Sequence, residues 1–185
     1  MEMAHVCRKW RQIVFASPRR LNLCIPCTAR TPVTKTLGLW PAFPIDAEED
    51  PDFPHGANVN ALSALRYIDR VYHVRLSFSD SQVGMIVTAM QQPFPMLTQL
   101  YLTSSRSDDP VFPAGFLGGS SPCLQAIGLS KISYPELPTL LLSTCNLVKL
   151  YLDSIHRAGY ISPEAIAASL ATLPKLEIFV MARLL

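Results

Sequence analysis

One spacing of aliphatic side chains recurs along this chain and constrains its fold more than any other feature. An apolar residue is followed by two variable residues, a second apolar residue, one variable residue and a third apolar residue. The five copies are Val71-x-x-Val74-x-Leu76, Leu97-x-x-Leu100-x-Leu102, Leu124-x-x-Ile127-x-Leu129, Leu147-x-x-Leu150-x-Leu152 and Leu176-x-x-Phe179-x-Met181. They begin at 71, 97, 124, 147 and 176, so the steps are 26, 27, 23 and 29 residues. Such a period predicts one repeated structural unit per copy.

The physical reason for the pattern is the alternation of side chains along a strand. Leu100 and Leu102 should face the core, whereas Gln99 and Tyr101 should point outward. A single unit cannot bury its apolar face alone, so successive units must stack. We therefore predict an α/β fold, a leucine-rich-repeat solenoid with a parallel strand ladder and helices on the opposite side. The alternative is an ordinary α/β domain with unrelated amphipathic strands.

Helical spacing of apolar residues falls between the repeated segments, where such a fold requires it. The predicted helices cover 4–16, 58–68, 82–91 and 137–143, and a last one begins at Ser162-Pro163-Glu164. In that last start signal, serine caps the helix and proline occupies its first turn. The chain has 16 prolines, and most lie between the periodic segments, where they end helices.

Composition excludes several classes of protein. The hydrophobic share is 49% and the charged share only 16%, which does not fit a disordered chain. The net charge of +2 gives no electrostatic case for binding nucleic acid. No apolar run reaches the roughly 18 residues of a membrane span, and no signal peptide core follows Met1. The five scattered cysteines favour a reducing compartment, so we expect a cytoplasmic or nuclear protein.

The sequence contains no recognisable catalytic, cofactor or metal constellation. Glycine-rich phosphate loops are absent, and the four histidines lack metal-ligand spacing to one another. Cys24-Ile-Pro-Cys27 has the spacing of a redox or metal motif, but no second ligand pair accompanies it. We therefore predict a protein that is not an enzyme and that carries no cofactor.

The N-terminal stretch resembles a known motif. His5 to Val14, with the sequence HVCRKWRQIV, and the following Ser17 to Leu21 resemble the C-terminal half of an F-box. Further matching pieces lie at 37–44, 116–119 and 159–165, so the chain is similar to the F-box and leucine-rich-repeat proteins abundant in mushroom-forming fungi. The resemblance implies that Val6, Cys7 and Trp10 contact the Skp1 adaptor of a cullin-based ubiquitin ligase.

The resemblance has one departure and implies a division of the chain. The N-terminal half of an F-box, with its Leu-Pro-x-Glu start, is absent before His5. Either the sequence is a fragment or truncated product, or it no longer binds the adaptor. The predicted parts are 1–20, a partial F-box C-terminal helix; 21–56, a strand plus a proline-rich linker; and 57–185, the leucine-rich-repeat region.

The outward strand residues form the predicted binding surface for a protein client. The candidate residues are His73, Arg75, Gln99, Tyr101, Lys149, Tyr151 and Asp153. Small residues at Ala126 and Gly128 predict a shallow dip between the two tyrosines. The predicted function is that of a protein–protein interaction module resembling the substrate receptor of an SCF-type (Skp1-cullin-F-box) ubiquitin ligase. The alternative is a truncated or decoy leucine-rich-repeat binding or structural protein without adaptor binding.

Overall fold

The chain forms an α/β fold. A computed structural model describes residues 8–16, 24–27, 33, 36–37, 43–48, 59–105, 110–155, 159 and 161–184. The strands in this part are β1 Ile25–Cys27, β2 Ile45–Glu48, β3 Val71–Phe78, β4 Gln99–Ser104, β5 Ala126–Ser130, β6 Lys149–Ile155 and β7 Ile178–Leu184. The helices are α1 Arg8–Ala16, α2 Val59–Ala64, α3 Asp80–Ala89, α4 Leu137–Leu141 and α5 Pro163–Ala171, with a 3-10 turn at Phe116–Gly119.

The described strands form one sheet in chain order. The order is β1-β2-β3-β4-β5-β6-β7, and every neighbouring pair is parallel. The prediction that the segments beginning at 71, 97, 124, 147 and 176 are neighbouring parallel strands is therefore confirmed. A helix or turn lies on each connection from β3 onward, because parallel strands need a crossover between them.

The same turn precedes four of these strands. The backbone N–H of the first leucine of each copy donates to the carbonyl oxygen three residues earlier. These bonds are Leu97 to Phe94 (3.1 Å), Leu124 to Ser121 (3.2 Å), Leu147 to Thr144 (3.1 Å) and Leu176 to Leu173 (3.3 Å). The first leucine thus belongs to the bend that enters the strand, which is why β4 begins at Gln99 rather than at Leu97.

The helices cover one face of the sheet. On that face, strand residues such as Val74, Leu100 and Leu150 are fully buried. They belong to the same apolar cluster as Ile86 of α3 and Leu140 of α4. The alternation predicted for the strands is therefore confirmed, and the opposite face of the sheet is left for polar and half-buried side chains.

Two helix starts follow from local side-chain chemistry. The Oγ of Ser162 accepts a hydrogen bond from the backbone N–H of Ala165 at 3.1 Å, with Pro163 as the first residue of α5. The predicted start of the last helix is therefore confirmed. At α3, the side-chain oxygen of Gln82 accepts from the backbone N–H of Ser79 at 3.0 Å. Each cap satisfies a backbone donor that the helix itself cannot.

Two strands differ from their predicted positions. The alternation of apolar residues over 20–25 predicts a strand there, whereas the described strand is β1, Ile25–Cys27. The acidic run from Glu48 to Asp52 is typical of a solvated loop, but Glu48 ends β2 and lies opposite Arg75 in the register with β3. Ile45 and Ala47 are fully buried, and this burial outweighs the low strand preference of the acidic residues between and after them. The rest of that acidic run lies outside the described residues.

The first helix agrees with the prediction in position but not in burial. Helix α1 covers Arg8–Ala16, while residues 4–7 of the predicted helix lie outside the described part. The helical spacing of Val6, Trp10, Ile13 and Val14 predicts one apolar side, yet 53% of Ile13 is exposed. An amphipathic stripe is buried only where another element covers it, and none of the described residues covers Ile13.

The edge strand β7 exposes apolar side chains on both faces. The alternation of the last copy predicts that Ile178 and Val180 face solvent, and they are 37% and 43% exposed. Phe179 and Met181, which point to the helix side, are each 38% exposed. Strand β7 pairs with β6 alone among the described strands, so one row of its backbone groups is left without a strand partner.

Cysteine reactivity should divide according to burial. Cys27 is fully buried, and burial raises the pKa of its thiol to about 11, although nearby Arg70 acts in the opposite direction. Cys123 and Cys145 are exposed free thiols. Because the thiolate is the reactive form, an aromatic disulfide reagent should label Cys123 and Cys145 at least ~100-fold faster than Cys27 near neutral pH. Peptide mapping of the labelled sites over time measures this.

The control for this experiment is the Cys123→Ser/Cys145→Ser double variant. It should lose the fast labelling of those two sites and keep the slow labelling of Cys27. Labelling of Cys27 in the native protein as fast as of Cys123 would contradict the buried position of β1.

Candidate protein-binding face

The side of the sheet opposite the helices, here called the open face, is built from three rows of side chains. The strand registers place the predicted residues beside one another in these rows. The first row is Asp46, His73, Gln99, Ala126, Lys149 and Ile178. The middle row is Glu48, Arg75, Tyr101, Gly128, Tyr151 and Val180. The third row is Ser77, Thr103, Ser130, Asp153 and Ala182. All seven predicted client-binding residues therefore lie on one continuous surface.

An aromatic and cationic stack occupies the middle row. The guanidinium carbon of Arg75 lies 5.0 Å from the centre of the Tyr101 ring, in cation–π contact. The centres of the Tyr101 and Tyr151 rings are 6.4 Å apart, with their planes tilted by 41°. Both tyrosines are half-buried and Arg75 is exposed. The stack is thus ordered by its own contacts while one side of it faces solvent.

The predicted dip between the tyrosines is filled. Gly128 and Ala126 are buried rather than open to solvent. A Cβ atom on Gly128 would lie 2.5 Å from Cδ1 of Tyr101, so the tyrosine ring rests directly on the glycine backbone. The prediction of a dip was wrong because the Tyr101 ring lies across the neighbouring strand and covers Gly128, which has no side chain. Gly128 instead allows the two tyrosines to approach each other.

A histidine–aspartate pair lies at the first-row end of the face. His73 Nδ1 is 2.8 Å from Asp46 Oδ1, and both side chains are largely buried. The Tyr101 ring meets the His73 ring edge-on, with 6.3 Å between centres. Sequence reasoning missed Asp46 because it lies in the predicted linker, 27 residues before His73. Only the register of β2 against β3 brings the two together.

Among the described residues, no serine or cysteine lies within hydrogen-bonding distance of His73 Nε2. His73 Nε2 is buried and has no hydrogen-bond partner among the described residues. A histidine that activates a serine or cysteine would hold that group within hydrogen-bonding distance. The contacts of His73, with Asp46 on one nitrogen and Tyr101 against the ring, instead fix the position of the imidazole.

The remaining charges of the face differ in how they are held. Asp153 is half-buried, and its Oδ2 accepts a hydrogen bond from Ser130 Oγ at 3.1 Å. Lys149 is exposed in the first row, next to Tyr151 along β6. The carboxylate is therefore tied to the sheet, whereas the ammonium group extends into solvent.

The side chains that the resemblance assigns to adaptor contact lie outside the described part of the chain. Val6 and Cys7 lie outside the described residues. Trp10 belongs to helix α1, but its side chain lies outside the described part as well. Their assignment stays a prediction, separate from the open face.

The described residues show neither a metal site nor a membrane span. No group of three or more His, Cys, Asp and Glu side chains in this part could hold a metal ion. None of the described helices has the length and apolar character needed to cross a membrane. No family model, curated protein or solved structure matches the chain. The open face is therefore the feature from which a function can be inferred.

Proposed function

We propose that this chain is a leucine-rich-repeat protein-binding module that holds a protein client on its open face. The observation that carries the proposal is the Arg75–Tyr101–Tyr151 stack, which is ordered, partly exposed and placed at the centre of the sheet face. Tyrosine and arginine are the residues that most often dominate binding energy at protein interfaces. The module acts by binding, without a cofactor and without catalysis.

The resemblance of the N-terminal stretch extends this proposal. Through Val6, Cys7 and Trp10 the module would attach to a Skp1-type adaptor and present the client for ubiquitin transfer, in the cytoplasm or nucleus. The second candidate is a binding module that holds clients without an adaptor. Titration of purified Skp1-type adaptor into the chain and into a Trp10→Ala variant separates the two. Adaptor binding that depends on Trp10 supports the receptor, and its absence favours the second candidate.

Client binding is tested with a displayed library of random peptides of ~12 residues, which span about 40 Å when extended. Peptides enriched on the native chain should bind the Tyr101→Ser and Tyr151→Ser variants about tenfold more weakly, because each loses a central aromatic contact. Titration calorimetry with the enriched peptides measures this loss.

The control variant is Leu142→Ser, which changes an exposed apolar residue on the helix side of the molecule. Its affinity for the enriched peptides should equal that of the native chain. Enriched peptides that bind all three variants equally would contradict the open face as the client site.

A further inference from the structure

The charges of the open face are sorted by accessibility. Asp46 is paired with His73 at 2.8 Å, and Asp153 accepts a hydrogen bond from Ser130 at 3.1 Å. Glu48, next to Arg75 in the register, is half-buried and makes an interaction of its own. None of these three carboxylates is fully exposed, and each has a contact within the protein.

The two exposed charges on strands β3 to β6 of this face are cations. Arg75 and Lys149 are both exposed, and neither has an ion pair within the described part of the chain. Arg75 contacts the Tyr101 ring, which offers no carboxylate or carbonyl oxygen to its N–H groups. The guanidinium N–H groups therefore remain available to a carboxylate from a ligand. The contact with the ring holds the guanidinium in position for that bond. The charges that are fully exposed to a ligand on these strands are therefore positive.

The spacing of the two cations sets the spacing of the groups that could pair with them. Arg75 lies on β3 and Lys149 on β6, which is the third strand along the sheet from β3. The two residues also lie in adjacent rows, which are two residues apart along a strand. At about 4.8 Å per step and about 3.3 Å per residue along a strand, their backbones are roughly 16 Å apart. An extended peptide covers that distance in about five residues. The intervening residues would cross Tyr101 and Tyr151.

We infer that the client segment is an extended acidic peptide that crosses the strands, with two carboxylates about four to five residues apart. One carboxylate pairs with Arg75 and the other with Lys149, while apolar or aromatic residues between them lie on the two tyrosines. This inference rests on the proposed function and names the chemistry of its client. Charge complementarity gives the face its selectivity, and the tyrosines supply most of the contact area.

The library selection described above tests the inference by the composition of the enriched peptides. Peptides enriched on the native chain should carry an excess of Asp and Glu at two positions about four to five residues apart. The strongest of them, made synthetically, should bind about tenfold more tightly than its version with Asn and Gln in place of those acids. Its affinity should also fall as sodium chloride is added, because exposed ion pairs are screened by salt.

Charge reversal on the protein supplies the matched experiment. The Arg75→Glu/Lys149→Glu variant should lose the acidic peptide and instead enrich peptides with Lys or Arg at the same two positions. Arg66→Glu is the control, since Arg66 is exposed beyond α2 on the helix side, and it should leave the selection unchanged.

The outcomes of the selection distinguish failure of the inference from failure of the proposed function. Enriched peptides without an acidic excess, yet dependent on Tyr101 and Tyr151, would overturn the inference and leave the proposed function standing. A selection that enriches nothing over the Tyr101→Ser/Tyr151→Ser double variant would overturn both. An acidic excess that persists in the charge-reversed variant would place the acidic site elsewhere on the protein and overturn the inference.

Discussion

Replacement of Phe116 by alanine will lower the free energy of unfolding by about 3–5 kcal/mol, the usual cost of removing a buried aromatic ring. Phe116 is buried at the centre of an aromatic cluster on the helix side of the sheet. Its ring centre lies 4.7 Å from that of Phe112 and 5.5 Å from that of Tyr134, the latter edge-on. Phe78 of β3 extends the cluster through its contact with Phe112 at 6.3 Å. The ring therefore joins the connection after β4 to the core beneath β3 and the loop after β5.

Urea unfolding followed by circular dichroism measures the loss. Phe116→Leu keeps most of the buried volume and should cost clearly less than Phe116→Ala. Val111→Ala is the control for the same connection, because Val111 is 53% exposed and its truncation should change stability by less than about 0.5 kcal/mol. A cost of Phe116→Ala no greater than that of Val111→Ala would show that the aromatic cluster does not hold this connection.

The Gly118→Ala substitution will have a second large effect, about 2–5 kcal/mol of lost stability. Gly118 has a φ of +65°, where an alanine costs roughly 1–2 kcal/mol relative to a right-handed conformation. A Cβ there would also lie 2.8 Å from the backbone nitrogen of Pro93 and 2.9 Å from its Cδ. Such overpacking against a rigid ring and backbone adds about 1–3 kcal/mol.

The adjacent glycine separates these two contributions. Gly119 has a φ of +71°, but a Cβ on it would meet nothing within 4 Å. Gly119→Ala should therefore cost only the roughly 1–2 kcal/mol of the backbone conformation. Thermal and urea unfolding of the two variants give the difference directly. Equal costs would mean that Pro93 moves away without penalty and that the close approach at Gly118 is not needed.

The strand ladder could be predicted because the same apolar spacing recurs in every copy. Leu100 and Leu102, like Leu150 and Leu152, alternate with polar residues, and their burial follows from the period of a strand. The recurrence of the pattern at steps of 23 to 29 residues then predicted that the strands are neighbours. Strand β2 did not share this signal. It is only four residues long, and two of the four, Asp46 and Glu48, are acidic.

The candidate site could be predicted as a set of residues but not as a geometry. Alternation along the strands placed Tyr101 and Tyr151 on the same face. The contact of Tyr101 with Gly128 depends on the register between β4 and β5 and on the rotamer of the ring. The spacing of apolar residues along the sequence determines neither of these. The Asp46–His73 pair likewise depends on a register irregularity between Ile45 and Asp46. Contacts across strands of distant sequence position require the assembled sheet.

The strictly sequential arrangement of the sheet also governs how stability is shared along the molecule. Each described strand is hydrogen-bonded only to those immediately before and after it in the chain. Through the hydrogen bonds of the sheet, a disturbance at β7 therefore reaches β4 only by passing through β6 and β5 in turn. Local opening costs least at the outermost strands and most in the interior of the array. The tyrosine pair lies on β4 and β6, inward of β7, so fraying of the last strand leaves the two tyrosines in place.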